Sequence, residues 1–239
     1  MKKYELLKIA MKNGLYRIKA LKDFGDVKAG DLGGYIASEA NLSQAGSCWV
    51  SGNAQVYGDA RVSGNAQVSG IARVSGIARV SGSAQVYDNA RVSGNARVYG
   101  TARVYGDAWV SGNAQVSGIA QVYGDAQVYD NARVTGDALV TGDAWVSGDA
   151  QVYGNAQVYD NARVSGNAQV SGTAKATKPV INLINVGKHS ITITDTHIAI
   201  GCENHTIEHW KKNIKKIGLD NGYTKAEIKK TITILKAVL

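Results

Sequence analysis

A six-residue period runs through more than half of this chain and restricts it to a repetitive fold. From Ser51 to Ala176 the sequence divides into 21 consecutive hexads. The fourth position is Ala in every hexad, the sixth is Val in all but the last, and the second is Gly in all but three. This period matches neither an α-helix nor an amphipathic strand. It is typical of a solenoid with flat sides.

The hexad also predicts where the chain turns and which side chains are buried. Glycine at the second position indicates a corner with positive φ, and Asp takes this position at residues 88, 130 and 160, where Asp-Asn tolerates the left-handed region. Ala and Val then point inward, since Ala fits a narrow interior and Val favours a strand. With three hexads per triangular turn, residues 51–176 form seven coils, ~34 Å tall at ~4.8 Å per strand.

The Val-x-Gly-x-Ala-x spacing resembles the hexapeptide repeats of left-handed parallel β-helices, and this resemblance supplies the handedness. The run YRIKALKDFGDVKAGDLGGYIASEANLSQAGSCWVSGNA resembles the opening of phage and prophage hexapeptide-repeat proteins of poorly defined function. The run ITITDTHIAIGCENHTIEHW resembles a small domain that closes some of them. These resemblances imply a phage-encoded protein in the cytoplasm of an infected bacterial host.

Residues 1–50 are expected to cap one end of the solenoid, because exposed strand edges invite aggregation. We predict strands over Tyr16–Ala20 and Leu32–Ile36, and imperfect hexads that end at Ile36 and Leu42. Two extra residues interrupt the register before Val50.

Residues 177–239 lack the six-residue period and predict a small α+β domain. We expect a strand over Val180–Val186 and a hairpin of Ser190–Thr194 with His197–Gly201. A helix should begin at Thr206, with the apolar residues Ile207, Trp210, Ile214 and Ile217 on one face and lysines on the opposite face. A second helix follows the capping box Thr224–Glu227 and buries Ile228, Ile232 and Leu235. This domain could cap the solenoid, dimerise or bind a partner.

Charge and composition limit the possible partners. The net charge of +8 divides into +3 for residues 1–50, zero for residues 51–176 and +5 for residues 177–239. A neutral repeat gives no support for nucleic-acid binding along its length. No apolar stretch is long enough to span a membrane, and Glu5, Lys8 and Lys12 argue against a signal peptide. Two distant cysteines fit a reducing, cytoplasmic setting.

The repeat lacks the residues that make the best-known enzymes on this fold active. Acyltransferases of this fold typically use a His beside a groove between subunits, and γ-type carbonic anhydrases need three His for zinc. Residues 51–176 contain no His and no inserted loop. We therefore expect a protein without enzymatic activity or cofactor, with a CoA-dependent acyltransferase as the alternative.

Aromatic and arginine side chains recur at 18-residue intervals, so we expect them to stack on one flat face of the solenoid. This predicted face comprises Arg73, Tyr87, Arg91, Tyr105, Trp109, Tyr123, Trp145, Tyr159 and Arg163. Three interpretations remain open: a subunit interface, a ligand surface, or cross-strand ladders that only stabilise neighbouring coils. Arg61, Arg79 and Arg97 stack on the next face, and an uncompensated arginine stack would indicate a bound anion.

Cys202, His205 and His209 form a C-x2-H-x3-H pattern near the predicted helix. It resembles half of a zinc site, but structural zinc takes four ligands and no fourth lies at a suitable spacing, so no metal is expected. A thiolate nucleophile beside His205 is the second interpretation. The third is a buried Cys that ends a strand and a His that satisfies the helix N-terminus.

These observations together predict a homo-oligomeric binding protein, with a trimer favoured over a dimer. The phage resemblance adds a more specific hypothesis, in which the protein antagonises a host defence system. It would do so by binding a host defence protein or by sequestering a nucleotide-like signal. A structural virion component is a further alternative.

Overall fold

The computed structural model describes residues 2–10, 14–183 and 188–239. Its central part is a parallel β-solenoid, in which residues 18 apart in sequence pair directly, as Gln85 does with Arg103. Three sheets of ten, eight and seven strands form the sides, and the solenoid makes about eight turns. The predicted β-solenoid is confirmed, and its left-handed sense stays a prediction.

The sides of the solenoid are built from short strands that recur once per turn. The parallel strands of the first sheet are Leu32–Ile36, Gln55–Val56, Arg73–Val74, Arg91–Val92, Trp109–Val110, Gln127–Val128, Trp145–Val146 and Arg163–Val164. Those of the second sheet are Trp49–Val50, Gln67–Val68, Gln85–Val86, Arg103–Val104, Gln121–Val122, Leu139–Val140, Gln157–Val158 and Lys175–Ala176. Those of the third are Arg61–Val62, Arg79–Val80, Arg97–Val98, Gln115–Val116, Arg133–Val134, Gln151–Val152 and Gln169–Val170.

The interior is filled by the fourth and sixth positions of the hexads, as the sequence predicts. Every one of these Ala and Val side chains is at most 1% exposed. Because the two residue types alternate along each turn, small and branched side chains fill the narrow interior at the density of a protein core. The outward positions are consequently free to vary.

The corners confirm the role of the second position. Asp88, Asp130 and Asp160 have φ values of 58°, 57° and 56°, close to those of the glycines that they replace. Asp88 accepts a hydrogen bond at Oδ2 from the backbone N–H of Gly106 (3.3 Å), and Asp130 accepts one from Gly148 (3.1 Å). Each of these two hydrogen bonds joins a corner to the next turn, and it therefore offsets part of the free-energy cost of the left-handed backbone conformation.

The N-terminal residues supply an additional turn before the regular hexads. Ile36 pairs with Val56, Leu42 forms a bridge with Val62, and Val50 pairs with Val68. The strands predicted over Tyr16–Ala20 and Leu32–Ile36 are confirmed with the same bounds. A short 3-10 helix, Glu39–Asn41, follows them.

The first end of the solenoid is covered by a hydrogen-bonded cap. Strand Tyr4–Ala10 pairs with Tyr16–Ala20 in antiparallel fashion. The buried Lys3 ammonium donates to the Cys48 carbonyl (2.9 Å), and the Tyr4 hydroxyl donates to that of Leu42 (2.6 Å). These donors satisfy carbonyl groups that have no preceding turn to pair with.

An antiparallel sheet covers the second end. Its strands, Ile181–Leu183, Ile191–Ile193, His197–Ile200 and Glu203–Thr206, pair in sequence order. The predicted hairpin is confirmed, whereas the fourth strand was not predicted. Of the predicted strand Val180–Val186, residues 181–183 form a strand, and residues 184–187 lie outside the described part of the chain.

Side-chain oxygens of this sheet and of the turn that joins its second and third strands accept hydrogen bonds from the end of the solenoid. Thr192 Oγ1 accepts from the N–H of Gln169 (3.1 Å), and Thr196 Oγ1 accepts from Lys175 (2.9 Å). Asp195 Oδ2 accepts from Thr177 (2.6 Å). In the solenoid, the N–H groups of each turn donate to carbonyl groups of the following turn. The first turn therefore has carbonyl groups that need donors, and the last turn has N–H groups that need acceptors.

Two helices pack on the terminal sheet: α1, Ile207–Asp220, and α2, Lys225–Val238. Thr206 caps α1, and the capping box of Thr224 and Glu227 opens α2 as predicted. Trp210 and Leu235 are buried against Ile191 and Ile198. Neither helix, nor any other in the described part of the chain, is long and apolar enough to cross a membrane.

Candidate binding surfaces

The outer side of the first sheet carries both tryptophans of the repeat. We call this surface the tryptophan face, and it consists of Gln55, Arg73, Arg91, Trp109, Gln127, Trp145 and Arg163. Trp109 and Trp145 are 44% and 37% exposed, respectively. Two strand spacings separate them, which is ~10 Å. Large aromatic side chains of this exposure are typical of protein surfaces that bind something.

Polar groups surround the tryptophans. The Arg163 guanidinium lies 4.8 Å from the centroid of the Trp145 ring in a cation–π contact, and Trp109 Nε1 donates to Ser93 Oγ (3.1 Å). A shallow depression of about 320 Å³ is lined by Asp125, Gln127, Asp143, Trp145, Asn161 and Arg163. This depression offers stacking and hydrogen bonding together.

The four tyrosines of the predicted face lie on a different side from the tryptophans. Tyr87, Tyr105 and Tyr123 directly follow strands of the second sheet and stack in parallel, with ring centroids 4.8 and 4.7 Å apart. The Tyr105 hydroxyl donates to Gln121 Oε1 on that sheet (3.2 Å). The prediction of a single aromatic face is therefore wrong, because the first position of each hexad continues the strand that precedes it.

This tyrosine ladder forms close contacts within the chain itself. Burial raises the pKa of the Tyr87 and Tyr105 phenols, and repulsion between neighbouring phenols raises that of Tyr105 further. Tyr159 does not join the stack. The solenoid turn between Tyr123 and Tyr159 has Thr141 at the equivalent position, so no aromatic ring links the two tyrosines. Tyr159 instead lies beside Lys175 and Thr177, where the solenoid meets the terminal sheet.

The Cys202, His205 and His209 pattern does not form a metal site among the described residues, in which no group of three potential ligands converges. His205 belongs to a strand, where its Nε2 lies 2.6 Å from Glu203 Oε2, and its ring stacks on that of His209. Hydrogen bonds from His205 and Asn221 lower the pKa of Glu203. Cys202 is exposed and Thr206 caps the helix, so the buried-Cys and capping-His interpretation is wrong.

Cys202 lines a small cavity at the base of the two helices. The cavity, about 40 Å³ in volume, also contacts His189, Trp210 and Tyr223. The Tyr223 hydroxyl is buried without a hydrogen-bond partner among the residues that the structure describes, and burial raises its pKa. The volume suits a few water molecules rather than a substrate, so the nucleophile interpretation gains no support from it.

A groove between α1 and α2 was not predicted from the sequence. It opens as two adjoining depressions of about 350 and 460 Å³ that share Ile232. We call this surface the helix groove. Its apolar floor includes Ile207, Ile214, Leu219, Ile228, Ile232, Leu235 and Leu239. Its rim carries Lys211, Lys215, Lys225, Lys229 and Lys236.

The number of apolar residues in α2 is a feature of the sequence from which this groove could have been predicted. The helix has apolar residues on more than one side, at Ile228, Ile232, Ile234, Leu235 and Val238. Only Ile228 and Leu235 are buried, so the prediction that Ile232 lies inside the core is wrong. An excess of apolar residues over what one packed face needs indicates a second, open contact surface.

Comparison with known families agrees with the fold. Five segments of the chain, residues 54–70, 84–100, 102–118, 126–140 and 156–172, match the family model of the YdcK beta solenoid repeat. No curated protein matches the chain. The protein is a β-solenoid repeat protein that is similar to this family along the matched segments.

Proposed function

We propose that this chain is a non-enzymatic binding protein that presents its helix groove to a partner protein at the end of a rigid solenoid. The observation that carries the proposal is the apolar groove with lysines on both rims. An amphipathic helix buries its apolar side in such a groove, and acidic residues on its flanks complement the lysines. The partner chemistry is therefore an acidic amphipathic helix.

The charges around the groove support this choice of partner. Within the described residues, Lys211 is the one rim lysine with an ion pair, to Glu208 at 2.9 Å, where both side chains are largely exposed. Glu227 is engaged by the N-terminus of α2 through its capping box with Thr224. Four rim lysines thus remain available to an acidic segment.

A peptide titration tests the groove directly. The probe is a labelled 16-residue model peptide with Leu at helical i, i+3, i+4 and i+7 spacing and Glu elsewhere. We expect the full-length protein to bind it, and the double variant Lys215→Glu/Lys229→Glu to bind it at least about a hundredfold more weakly, because two attractions become repulsions. Fluorescence anisotropy measures both dissociation constants.

The matched control is Lys212→Glu/Lys216→Glu, which changes the same net charge on α1 outside the groove. This control should retain binding within a few-fold of the unmodified protein. Equal weakening by both double variants would show that net charge alone attracts the peptide, and it would contradict the proposal. So would an unmodified protein that fails to bind.

We further propose that copies of the chain assemble through the tryptophan face, as a trimer ahead of a dimer. The exposed Trp109 and Trp145, with Arg163 beside them, are residue types enriched at the centres of interfaces. The variant Trp109→Ala/Trp145→Ala should convert the assembly to a monomer in native mass spectrometry. If the variant retains the unmodified subunit number, the face is not the interface.

The more specific hypothesis is a phage-encoded protein that acts in the host cytoplasm against a bacterial defence system. Its support is the resemblance of the two terminal runs to phage proteins. The alternatives make different predictions: a CoA-dependent acyltransferase would bind acetyl-CoA, and a virion component would co-purify with particles. The groove favours a protein partner over both.

A further inference from the structure

Three arginines form a continuous stack on the third sheet, away from both surfaces above. Arg61 pairs in register with Arg79, and Arg79 pairs with Arg97. All three are exposed on the outer side. With strands ~4.8 Å apart, the stack, which we call the arginine ladder, spans ~10 Å.

The ladder places three positive charges on neighbouring strands. Among the described residues, no carboxylate forms an ion pair with these arginines, and their guanidinium groups donate no hydrogen bond. Asp59 precedes Arg61 at the corner without pairing with it, and the equivalent positions beside Arg79 and Arg97 hold uncharged residues. Like charges on adjacent strands are destabilising, so the ladder adds repulsion that an anion would remove.

The ladder is short and is flanked by hydroxyl groups. Gln115 follows Arg97 on the next strand, which ends the run of charge. Ser63 and Ser81 lie two residues beyond Arg61 and Arg79, on the same side of the sheet because side chains alternate along a strand. A surface of three charges over three strands suits a compact ligand better than a long polymer.

We propose that the arginine ladder binds a short chain of linked phosphate groups, such as inorganic triphosphate or the triphosphate of a nucleotide. A guanidinium group matches phosphate oxygens in a two-pronged geometry, and it keeps its charge at every physiological pH. The three flexible arginine side chains can converge on one such phosphate chain, while the serine hydroxyls donate from the side. This site is separate from the helix groove and does not depend on it.

The decisive variant is Arg79→Gln, which removes the central charge. Glutamine occupies the same position in nine hexads, so the fold accommodates it. In isothermal titration calorimetry with inorganic triphosphate at low ionic strength, we expect the unmodified protein to bind. Arg79→Gln should weaken that binding by roughly tenfold or more, since charge-assisted hydrogen bonds are lost.

Arg133→Gln is the matched control. Arg133 lies on the same sheet at the same hexad position, but its neighbours are Gln115 and Gln151, so it belongs to no ladder. Its replacement changes net charge equally and should leave affinity within about twofold. Equal weakening by both variants, or binding that survives Arg79→Gln because lysines of the terminal helices supply it, would overturn the proposal.

A parallel titration with ATP distinguishes the two sources of a phosphate chain. Equal affinity for ATP and triphosphate, with the same dependence on Arg79, supports recognition of the phosphates alone. Tighter ATP binding with that dependence supports a nucleotide ligand, whose base could contact the exposed Tyr99 ring beyond Arg97. Failure of both probes to bind the unmodified protein would overturn the site.

Discussion

Replacement of Trp210 by alanine should unfold the terminal sheet and helices while leaving the solenoid folded. Trp210 of α1 is 3% exposed, belongs to the core that α1 shares with α2 and the sheet, and donates a hydrogen bond from Nε1 to the Ile198 carbonyl (2.6 Å). Truncation of a buried Trp costs about 3–5 kcal/mol, and loss of its hydrogen bond to Ile198 adds roughly 0.5–1.5 kcal/mol. A core of this size rarely supplies more than about 3–5 kcal/mol, so the unit would not remain folded.

Hydrogen exchange measures this outcome residue by residue. Amides of α1 and α2 should lose protection, and so should those of Gln169, Lys175 and Thr177, whose acceptors belong to the terminal sheet. Amides in the middle of the solenoid should keep theirs, because each pairs with a neighbouring turn. Loss of protection throughout the chain would instead show that the terminal unit and the solenoid unfold as one.

Trp109→Ala is the control within the same chain. Trp109 is 44% exposed and contributes one hydrogen bond, to Ser93. Its loss should change the free energy of unfolding by no more than roughly 0.5 kcal/mol, as is usual for surface positions, when the variant is measured as a monomer. A similar loss of protection in both variants would contradict the assignment of Trp210 as the core residue of the terminal unit.

The repeat could be predicted from sequence because each hexad position has one physical task. Ala54 and Val56 are buried for the same reason as their equivalents in every other turn, so 21 copies of one pattern carry the same information. The left-handed Asp corners followed from the exclusion of most side chains at positive φ. The additional N-terminal turn could be predicted because Ile36 and Leu42 end imperfect hexads. The two extra residues before Val50 do not prevent these residues from pairing with the next turn.

The surfaces were harder to predict because they depend on which strand a corner residue follows. Tyr105 and Trp109 belong to one hexad, yet a corner separates them and places them on different sheets. The helix groove depends on how two helices tilt over a sheet, which periodicity does not specify. Likewise, Cys202 is exposed because an unpredicted strand, Glu203–Thr206, carries the chain to the helix.

Replacement of Gly118 by alanine should be among the most damaging single substitutions in the repeat. Gly118 has φ of +71°, and an added Cβ would lie 2.8 Å from both the backbone N and O of Gly136 in the next turn. The left-handed backbone costs a non-glycine residue about 1–2 kcal/mol, and forced overpacking adds roughly 1–3 kcal/mol. Denaturant unfolding followed by circular dichroism measures the combined effect.

Gly222→Ala separates the two contributions. Gly222 also has φ of +71°, but a Cβ there would meet no atom within 4 Å. This variant should lose only the backbone contribution, about 1–2 kcal/mol, measured by the exchange of α1 and α2 amides. Equal losses at Gly118 and Gly222 would mean that the neighbouring turn yields easily, which contradicts the close packing of the corners.

Gly118→Asp gives the sharpest comparison, because a larger side chain should be tolerated better than alanine. Asp already occupies this position at residues 88, 130 and 160, and the carboxylates of Asp88 and Asp130 accept a hydrogen bond from the glycine N–H of the next turn. At position 118 the corresponding donor is the Gly136 N–H. We expect Gly118→Asp to be less destabilising than Gly118→Ala by about 1 kcal/mol, the typical net value of one hydrogen bond. If Asp proves worse than Ala, steric volume rather than backbone conformation and hydrogen bonding governs which residues the corners accept.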